Sequence, residues 1–564
     1  MDRILTGKGM KSVDTYTIQT VGIPSMVLME RAALGVSKLV KEIINNSAVA
    51  KQLQLNTNQK ILCVCGTGNN GADGVAVARQ LVCEGYTADV VIVGNEDRCS
   101  EEFGHQRTIA SNCGVKFLQT VTSEEGEAYN YLCKALENEY DLIVDGIFGI
   151  GLSRNIEGVF AQVINKINET VYAKKSTSNG LKVVAVDIAS GLNSDTGSIM
   201  GCAINADITV TFGAKKVGMC LYKGKDISGQ VIVEDIGFPE HAYKEALKEN
   251  SSFIGNENIQ KEIGSYNIIE NMDVKKYLSR KAHSNKGTYG KVLIIAGSSG
   301  MYGAAYLAAA AAFRVGAGLV KIITHRENRE LIYKMLPEAM VEFYDSENDI
   351  DELSISKAIE WADSVLIGPG IGVSSTARRL VSIVLKDTKK QDKYLVIDAD
   401  GLNVISSNAS LTECYYDKVI ITPHIGEASR LMNLSAKEIA ENIVGAALDY
   451  SNKYNINVVL KDSTSVILGI ESFSNKCNNR AYVNTTGNAG MATAGSGDVL
   501  AGIIAGIVAG GIDREIVNED LTKAIGVAVY IHGMAGDLAA KEKGQTSMLA
   551  TDMVDMIAKV LCAV

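Results

Sequence analysis

The chain has 564 residues, 46% of them hydrophobic and 21% charged, with 55 Lys and Arg against 65 Asp and Glu. That length predicts more than one domain, each large enough to bury a core, and the composition is that of a globular rather than a disordered protein. The formal net charge of −10 argues against a nucleic-acid platform, which would show a basic face.

Taken from the N-terminus, residues 1–20 contain no apolar stretch of the kind a signal peptide needs. The longest apolar runs also fail as membrane spans: Arg314 interrupts 303–320, and 499–511 falls short of the roughly 20 residues required. The 11 cysteines are scattered, with no C-x-x-C pair, which predicts reduced thiols rather than disulfides or zinc. These features predict a soluble cytoplasmic protein.

Short, almost continuously apolar strands are then expected at 60–66, 88–94, 141–149, 183–191, 208–213 and 231–237, alternating with helical stretches such as 71–84. This is the pattern of a parallel sheet covered by helices on both faces. From about 240 the chain turns polar and charged, which reads as a domain junction. A second series follows at 291–297, 319–325, 364–370, 394–401, 419–426 and 456–462, accompanied by an Ala-rich helix over 303–316 and a Gly/Ala-rich helix beginning near Ser496. The expected organisation is an α/β domain over 1–240, a junction over 241–275 and a second α/β domain over 276–564.

Strand 60–66 runs into GTGNNGADG (66–74), where Gly66, Gly68 and Gly71 satisfy G-x-G-x-x-G. That fingerprint is weak by itself, since Glu96 sits only loosely where the acidic partner belongs. The density of Asn69, Asn70 and Asp73 at a strand-to-helix turn points instead to a phosphate or sugar held at a helix N-terminus. Two later strands end in Asp145 and Asp187, the latter three residues before Ser190. Ligands of open α/β sheets bind at such strand ends, and a carboxylate, a hydroxyl and an amide are the hard oxygens that alkali or alkaline-earth cations prefer.

In the second half, TTGNAGMATAGSGDVLAGIIAG (485–506) places glycines 487, 490, 495 and 497 ahead of a helix. Close backbone approach and the helix dipole make this an anion hole, with Asp498 at its mouth as a base toward a hydroxyl attacking or leaving phosphorus. GPGIG (368–372), DADGLN (398–403), PHIGE (423–427) and KDSTS (461–465) add candidate contacts at other strand ends. No Walker A sequence occurs.

This ordered set resembles a fused pair of families. NNGADG (69–74), VDGIFGIGL and VDIASGLNSDTG resemble the NAD(P)H-hydrate epimerase domain. NKGTYGKVLIIAGSSGMYGAAYLAAAAAFRVGAGLV, GPGIG, DADGLN, TPHIGEASRL and NAGMATAGSGDVLAG resemble the ADP/ATP-dependent NAD(P)H-hydrate dehydratase. The resemblance implies a Rossmann-like three-layer α/β/α domain followed by a ribokinase-like α/β domain, a small-molecule enzyme without nucleic-acid or membrane partners, and a homo-oligomer.

It also implies residue roles. Asn69, Asn70, Gly71, Ala72 and Asp73, with Gly149, Ile150, Gly151, Leu152, Ser153, Arg154 and Asn155, would hold the hydrated dinucleotide in the epimerase half. Asp187 would contact it there as general acid/base, and Asn70, Asp145 and Ser190 would bind K⁺. In the dehydratase half, Ala304, Gly372, His424 and Asp498 would contact the hydrate, Asp498 as the base. Lys461, Asp462, Ser463, Thr464 and Ser465 would hold ADP or ATP with Asn488, Ala489, Gly490, Met491, Ala492, Thr493, Ala494, Gly495, Ser496 and Gly497, and Mg²⁺ would bridge the nucleotide phosphates. Ala72, Ala189, Ala489 and Asn285 depart from the family pattern, which bears on affinity and loop rigidity rather than on reaction type. The alternative is a ribokinase-like small-molecule kinase fused to a non-catalytic Rossmann-like binding module.

Overall fold

A strand whose side chains are apolar at every position can be buried only if both sheet faces are covered, and this chain builds two such sheets. The computed structural model describes residues 3–45, 59–123, 126–138, 140–174, 180–251, 265–277, 280, 282–469, 480–510, 517 and 520–563. Its contacts divide into Met1–Tyr266 and Asn267–Val564.

The strands of the first unit are β1 (Ile4–Leu5), β2 (Lys60–Cys65), β3 (Thr87–Ile92), β4 (Lys116–Phe117), β5 (Leu142–Gly146), β6 (Lys182–Val186), β7 (Ile208–Phe212), β8 (Lys215–Lys216), β9 (Gln230–Glu234) and β10 (Ser265–Tyr266). Seven of them form a wholly parallel sheet in the order β4-β3-β2-β5-β6-β7-β9. β2 shows why its sequence is apolar throughout. Ile61, Cys63 and Cys65 pack against the helices Ser25–Asn45 and Asn69–Cys83 on one face, while Leu62 and Val64 pack against Glu127–Asn138 and Gly158–Lys174 on the other. Each large apolar side chain buried in this way contributes about 1.5–3 kcal/mol. The chain steps outward from β2 to β3 and β4, then returns to β5 on the other flank of β2. The β2/β5 boundary is therefore the switch point at which a crevice opens.

The expected junction over 241–275 requires correction. The helix Glu240–Ser251 packs Ala242, Tyr243 and Ala246 onto Leu5, Met10 and Val13, and β10 pairs antiparallel with β1, which pairs with β8 on its other side. A small apolar ridge hidden among charged neighbours makes this polar segment part of the first unit. Residues 252–264 lie outside the described residues. Asn267 bridges to Tyr482, and Val274, in the helix Asn271–Tyr277, lies in the core of the second unit.

The second unit contains β11 (Lys291–Ile295), β12 (Leu319–His325), β13 (Met340–Tyr344), β14 (Ser364–Ile367), β15 (Tyr394–Ile397), β16 (Val419–Ile421), β17 (Asn457–Leu460), β18 (Ser465–Gly469) and β19 (Arg480–Asn484). They run β13-β12-β11-β14-β15-β16-β17-β18-β19, parallel as far as β17 and antiparallel beyond it. The reversal of strand order at β11/β14 is the switch point of this sheet. The helices Tyr302–Arg314 and Ser496–Val508 press together in the core; a Cβ on Gly502 would lie 2.1 Å from the carbonyl oxygen of Ala308. That approach explains the Ala- and Gly-rich composition of both helices. The α/β class expected of each half is the one observed. Among the described residues no helix is long and apolar enough to cross a membrane, and the described cysteines are free thiols.

Candidate active sites

The switch point of the first sheet opens into a cavity of about 660 Å³. Its floor is the turn after β2, and its sides are the loop after β5, Asp187 after β6 and Phe212 at the end of β7. The glycines of the turn are there for space: a Cβ on Gly66 would lie 2.1 Å from Ile147 O, and one on Gly71 would lie 1.8 Å from Gly66 O. Of the expected substrate residues, Asn69, Asn70, Asp73 and the loop 149–154 line the cavity. Gly71 and Ala72 are buried behind it, and Asn155 is not part of its wall. The opposite wall comes from Met10, Lys11 and Asp14 in the helix Gly7–Tyr16 and from Leu28, Met29 and Ala32 in Ser25–Asn45. Sequence reasoning passed over both helices, because they carry no motif and are brought here only by packing.

Beside the cavity lies a buried oxygen cluster. Asp145 is fully buried at the end of β5. Its Oδ1 accepts from Ser190 Oγ at 2.6 Å and from Ile147 N at 3.2 Å, and its Oδ2 accepts from Ser190 N at 2.8 Å. Phe148 N donates to Ser190 Oγ at 2.9 Å, and Asn70 Nδ2 donates to Phe148 O at 3.0 Å. Burial pushes the Asp145 carboxyl up to about 6, against the lowering effect of the Ser190 and Ile147 hydrogen bonds. No basic side chain pairs with it among the described residues. The structure thus brings Asn70, Asp145 and Ser190 into one cluster.

Asp187 adopts a left-handed backbone, φ +63°, and donates its N–H to Val210 O at 2.8 Å. Its Oδ1 accepts from Phe212 N at 3.1 Å, from Thr211 Oγ1 at 3.3 Å and from the Nζ of Lys216. Lys216 was not anticipated. Its only sequence signal is a charged residue in the largely apolar run after β7, whereas the structure buries it completely and pairs it with Asp187. Two further carboxyls face the cavity. Burial, followed by the charges of Asp187 and Asp14, pushes Asp73 upward. Asp14 is raised by burial, then by Asp187 and Glu102, with Lys216 opposing.

In the second unit, the ends of β15, β16 and β17 meet the start of the helix Ser496–Val508. Gly495, at φ +89°, turns the chain into that helix, and Asp498 occupies its first turn. Lys461, just beyond β17, donates from Nζ to Oδ1 of Asp398 at 2.8 Å, and Thr422 Oγ1 donates to the same oxygen at 2.7 Å. Asp398 is 1% exposed. A Cβ on Gly497 would lie 3.3 Å from Lys461 Nζ and 3.7 Å from Asp398 Oδ2, so the helix start rests against this ion pair. Burial, and then the charge of Asp398, push Asp498 up to about 7; Lys461 opposes the shift, while Asp400 and Glu427 add to it.

The other expected contacts surround this centre. His424 caps the helix Ile425–Met432: its Nδ1 accepts from Gly426 N at 3.0 Å, its backbone N–H donates to Glu427 Oε2 at 3.0 Å, and its Nε2 lies 3.5 Å from Glu427 Oε1. Gly372 donates its N–H to Asp400 Oδ2 at 2.9 Å. Ala304 lies beneath the 368–372 loop, 3.0 Å from where a Cβ on Gly370 would be. Of the nucleotide candidates, Asp462 and Ser463 are exposed, while Thr464 is 2% exposed and its buried hydroxyl has no hydrogen-bond partner. Asn488 donates from Nδ2 to Asp537 Oδ1 at 3.0 Å, and Asp537 Oδ2 accepts from Gly487 N at 2.9 Å. His532, which burial lowers to about 4, places Nε2 3.0 Å from Ser496 O. Asp537 and His532 escaped sequence reasoning because they lie on the helix Leu521–Lys543, far along the chain from the loop they hold.

Comparison with known proteins assigns both halves. Residues 25–218 match the family described as YjeF-related protein N-terminus, and 292–559 match the family described as NAD(P)H-hydrate dehydratase. The chain is 32% identical to the bifunctional NAD(P)H-hydrate repair enzyme Nnr of Thermofilum pendens, over 98% of this chain and 95% of that one. It is also 32% identical to the enzyme of the same name from Moorella thermoacetica, over 99% and 96% respectively. A crystal structure of the ADP/ATP-dependent NAD(P)H-hydrate dehydratase of Bacillus subtilis, co-crystallised with ATP/Mg²⁺, aligns with 52% of this chain and 95% of its own at a TM-score of 0.42 and 28% identity.

Proposed function

The chain belongs to the bifunctional NAD(P)H-hydrate repair enzymes, and on that premise we propose how its two sites divide the work. The first unit interconverts the R and S forms of hydrated NADH or NADPH. The second dehydrates the S form back to the reduced dinucleotide, with ADP as the phosphoryl donor and AMP and phosphate as products. The observation that carries this reading is that each family-matched half centres its site on one carboxylate at the C-terminal end of a parallel sheet: Asp187 in the first and Asp498 in the second.

In the first site the dinucleotide occupies the 660 Å³ cavity, with an anionic group at the N-terminus of the helix Asn69–Cys83, where unpaired N–H groups and the helix dipole favour it. Asp187 moves a proton at the hydroxyl of the hydrated nicotinamide carbon, so that oxygen can leave one face and return to the other. The oxygen cluster fits a monovalent cation. Asn70 Oδ1, Asp145, Ser190 Oγ and the Phe148 carbonyl offer only oxygens and a single carboxylate, which no basic side chain among the described residues neutralises. Potassium held there would offset the buried charge and fix the Gly149 loop. Replacing K⁺ with Li⁺ should slow epimerisation and leave dehydration of the pure S form unchanged; equal epimerisation rates would remove the ion from the account.

In the second site Asp498, raised to about 7, accepts the proton of the substrate hydroxyl. The hydroxyl oxygen attacks the terminal phosphorus of ADP, and AMP leaves. Phosphorylation turns a poor leaving group into a good one: phosphate departs with the bonding pair, and loss of the neighbouring C–H proton restores the ring double bond. N–H groups at the start of Ser496–Val508 stabilise the charge on the transferring group. Among the described residues no group of three acidic, His or Cys side chains could cage a metal ion. Mg²⁺ would come with the nucleotide phosphates and supply charge neutralisation there.

The test supplies mixed R/S NADH hydrate with ADP or ATP in separate reactions and follows the reduced-nicotinamide absorbance. Complete recovery, faster than spontaneous epimerisation, is expected, and the faster nucleotide is the donor. Recovery stalling at the S fraction would make the first unit a binding module. A stable phosphorylated product would turn the second unit into a kinase.

A further inference from the structure

The cavity of the first unit holds a fully buried lysine in direct contact with its central carboxylate. Resting on the epimerase reading of this cavity, we propose that Lys216 is a positioning residue for epimerisation, clamping Oδ1 of Asp187 so that Oδ2 alone is presented to the substrate.

The hydrogen bonding supports this atom by atom. An ammonium has three donors, and Lys216 Nζ meets three acceptors: Asp187 Oδ1, Thr211 Oγ1 at 2.8 Å and Phe212 O at 3.2 Å. Oδ1 also accepts from Phe212 N and Thr211 Oγ1, so its lone pairs are committed. Oδ2 accepts nothing among the described residues, and the Asp187 side chain, 14% exposed, lines the cavity. One oxygen is locked and the other is free on the open side.

The placement of the lysine is equally specific. It lies in β8, whose pairing with β1 puts Lys216 opposite Leu5 and points it beneath β7. Asp187 itself holds a left-handed backbone, a conformation that costs a non-glycine residue about 1 kcal/mol or more and persists only where surroundings enforce it. A buried ion pair is a poor device for stability, because desolvation offsets its Coulombic gain and an apolar pair of similar volume does as well. One that locks a strained carboxylate at a cavity wall instead fixes the direction in which a proton can be taken. The surroundings offer no substitute for it: the other basic side chains that line the cavity, Lys11 and Arg154, are exposed, and Lys216 is the fully buried one.

The test follows loss of the R hydrate by chromatography, without nucleotide, so that only epimerisation is read. Lys216→Met is expected to lower kcat about 100-fold or more, within the range of a lost acid/base function, with KM little changed. Lys216→Ala should recover part of its kcat in methylammonium, which can enter the vacated space, and not in tetramethylammonium. A merely structural lysine would give neither the kcat–KM split nor the size-selective rescue. A Lys216→Met enzyme with kcat close to that of the unaltered protein, or a loss confined to KM, overturns the proposal. Should the lysine variants lose the thermal transition of the first unit, the decision passes to Thr211→Val, which keeps the lysine and removes the hydroxyl between Nζ and Oδ1: a clear fall in kcat supports the clamp, and an unchanged kcat overturns it. Asp187→Asn separates the two levels of the argument. If it epimerises as fast as the unaltered protein, the epimerase reading fails; if it is slow while Lys216→Met is fast, only the clamp fails.

Discussion

The two sites use the same pair of side chains, a lysine and a carboxylate at the end of a parallel sheet, in different arrangements. In the first unit Lys216 bonds directly to Asp187, the proposed acid/base. In the second, Lys461 bonds to Asp398 instead, and Asp398 then acts as a negative neighbour that helps burial to push Asp498, the proposed base, up to about 7. The difference lies in where the cation sits. A lysine bonded to the carboxylate itself fixes one of its oxygens, whereas a lysine one carboxylate away leaves Asp498 desolvated and poised near neutrality, the range that suits a base toward an alcohol.

The sharpest way to break this comparison is Asp498→Asn, which should lower kcat for dehydration of the S hydrate by roughly 10²–10⁴ without affecting epimerisation. Its stability effect has a definite sign. The Asp498 carboxyl titrates near 3.8 when unfolded and near 7 when folded, so in that window the folded chain holds a proton the unfolded chain has lost. The stability contributed by this group is full below about 3.8, falls as pH rises toward 7 and stays lowered above it. Asp498→Asn should therefore raise the unfolding temperature of the second unit relative to the unaltered protein at pH 8 and have little effect near pH 4; the same difference at both pH values would mean that Asp498 is solvated.

Lys461→Met strands Asp398, 1% exposed, as an unpaired buried charge and should destabilise the second unit by about 3–5 kcal/mol, read by denaturant unfolding. A smaller loss would show water reaching that carboxylate. Asp398→Asn sharpens the comparison more gently. Removing a negative neighbour should move the acidic limb of kcat/KM for dehydration, expected near pH 7 in the unaltered protein, to lower pH. An unmoved limb would leave burial, with Asp400 and Glu427, as the cause. The smallest effects distinguish the two glycine-rich turns. Gly66→Ala forces a Cβ to within 2.1 Å of the Ile147 backbone oxygen and should cost about 1–3 kcal/mol. Gly497→Ala meets the side-chain ends of Lys461 at 3.3 Å and Asp398 at 3.7 Å rather than backbone and should cost less than about 1 kcal/mol in thermal unfolding. Comparable costs would mean that Lys461 is as rigid as backbone.

Much of this molecule was legible before folding because its signals are local. Runs such as KILCVC and KVLII are apolar at every position, which only a doubly covered strand tolerates, and the turns that follow them carry glycines with Asn, Asp or Ser at fixed offsets. Asp145, Asp187 and Asp498 could be named in this way because each stands next to a strand or helix end. The junction over 241–275 misled because Ala242, Tyr243 and Ala246 are a minority among charged residues, and only their packing on Leu5 and Val13 reveals a helix belonging to the first unit.

By itself, the sequence determined the two α/β series, their order, the two phosphate-friendly turns and the carboxylates at their strand ends. The tertiary structure alone decided which charges face those carboxylates. Lys216 reaches Asp187 through the β1–β8 pairing, Asp14 arrives on the first helix, and Asp398 takes Lys461 away from Asp498. Strand and helix formation depend on neighbours a few residues away, whereas the field at a buried carboxylate depends on every charge and dipole within several ångströms, and folding gathers those from across each unit.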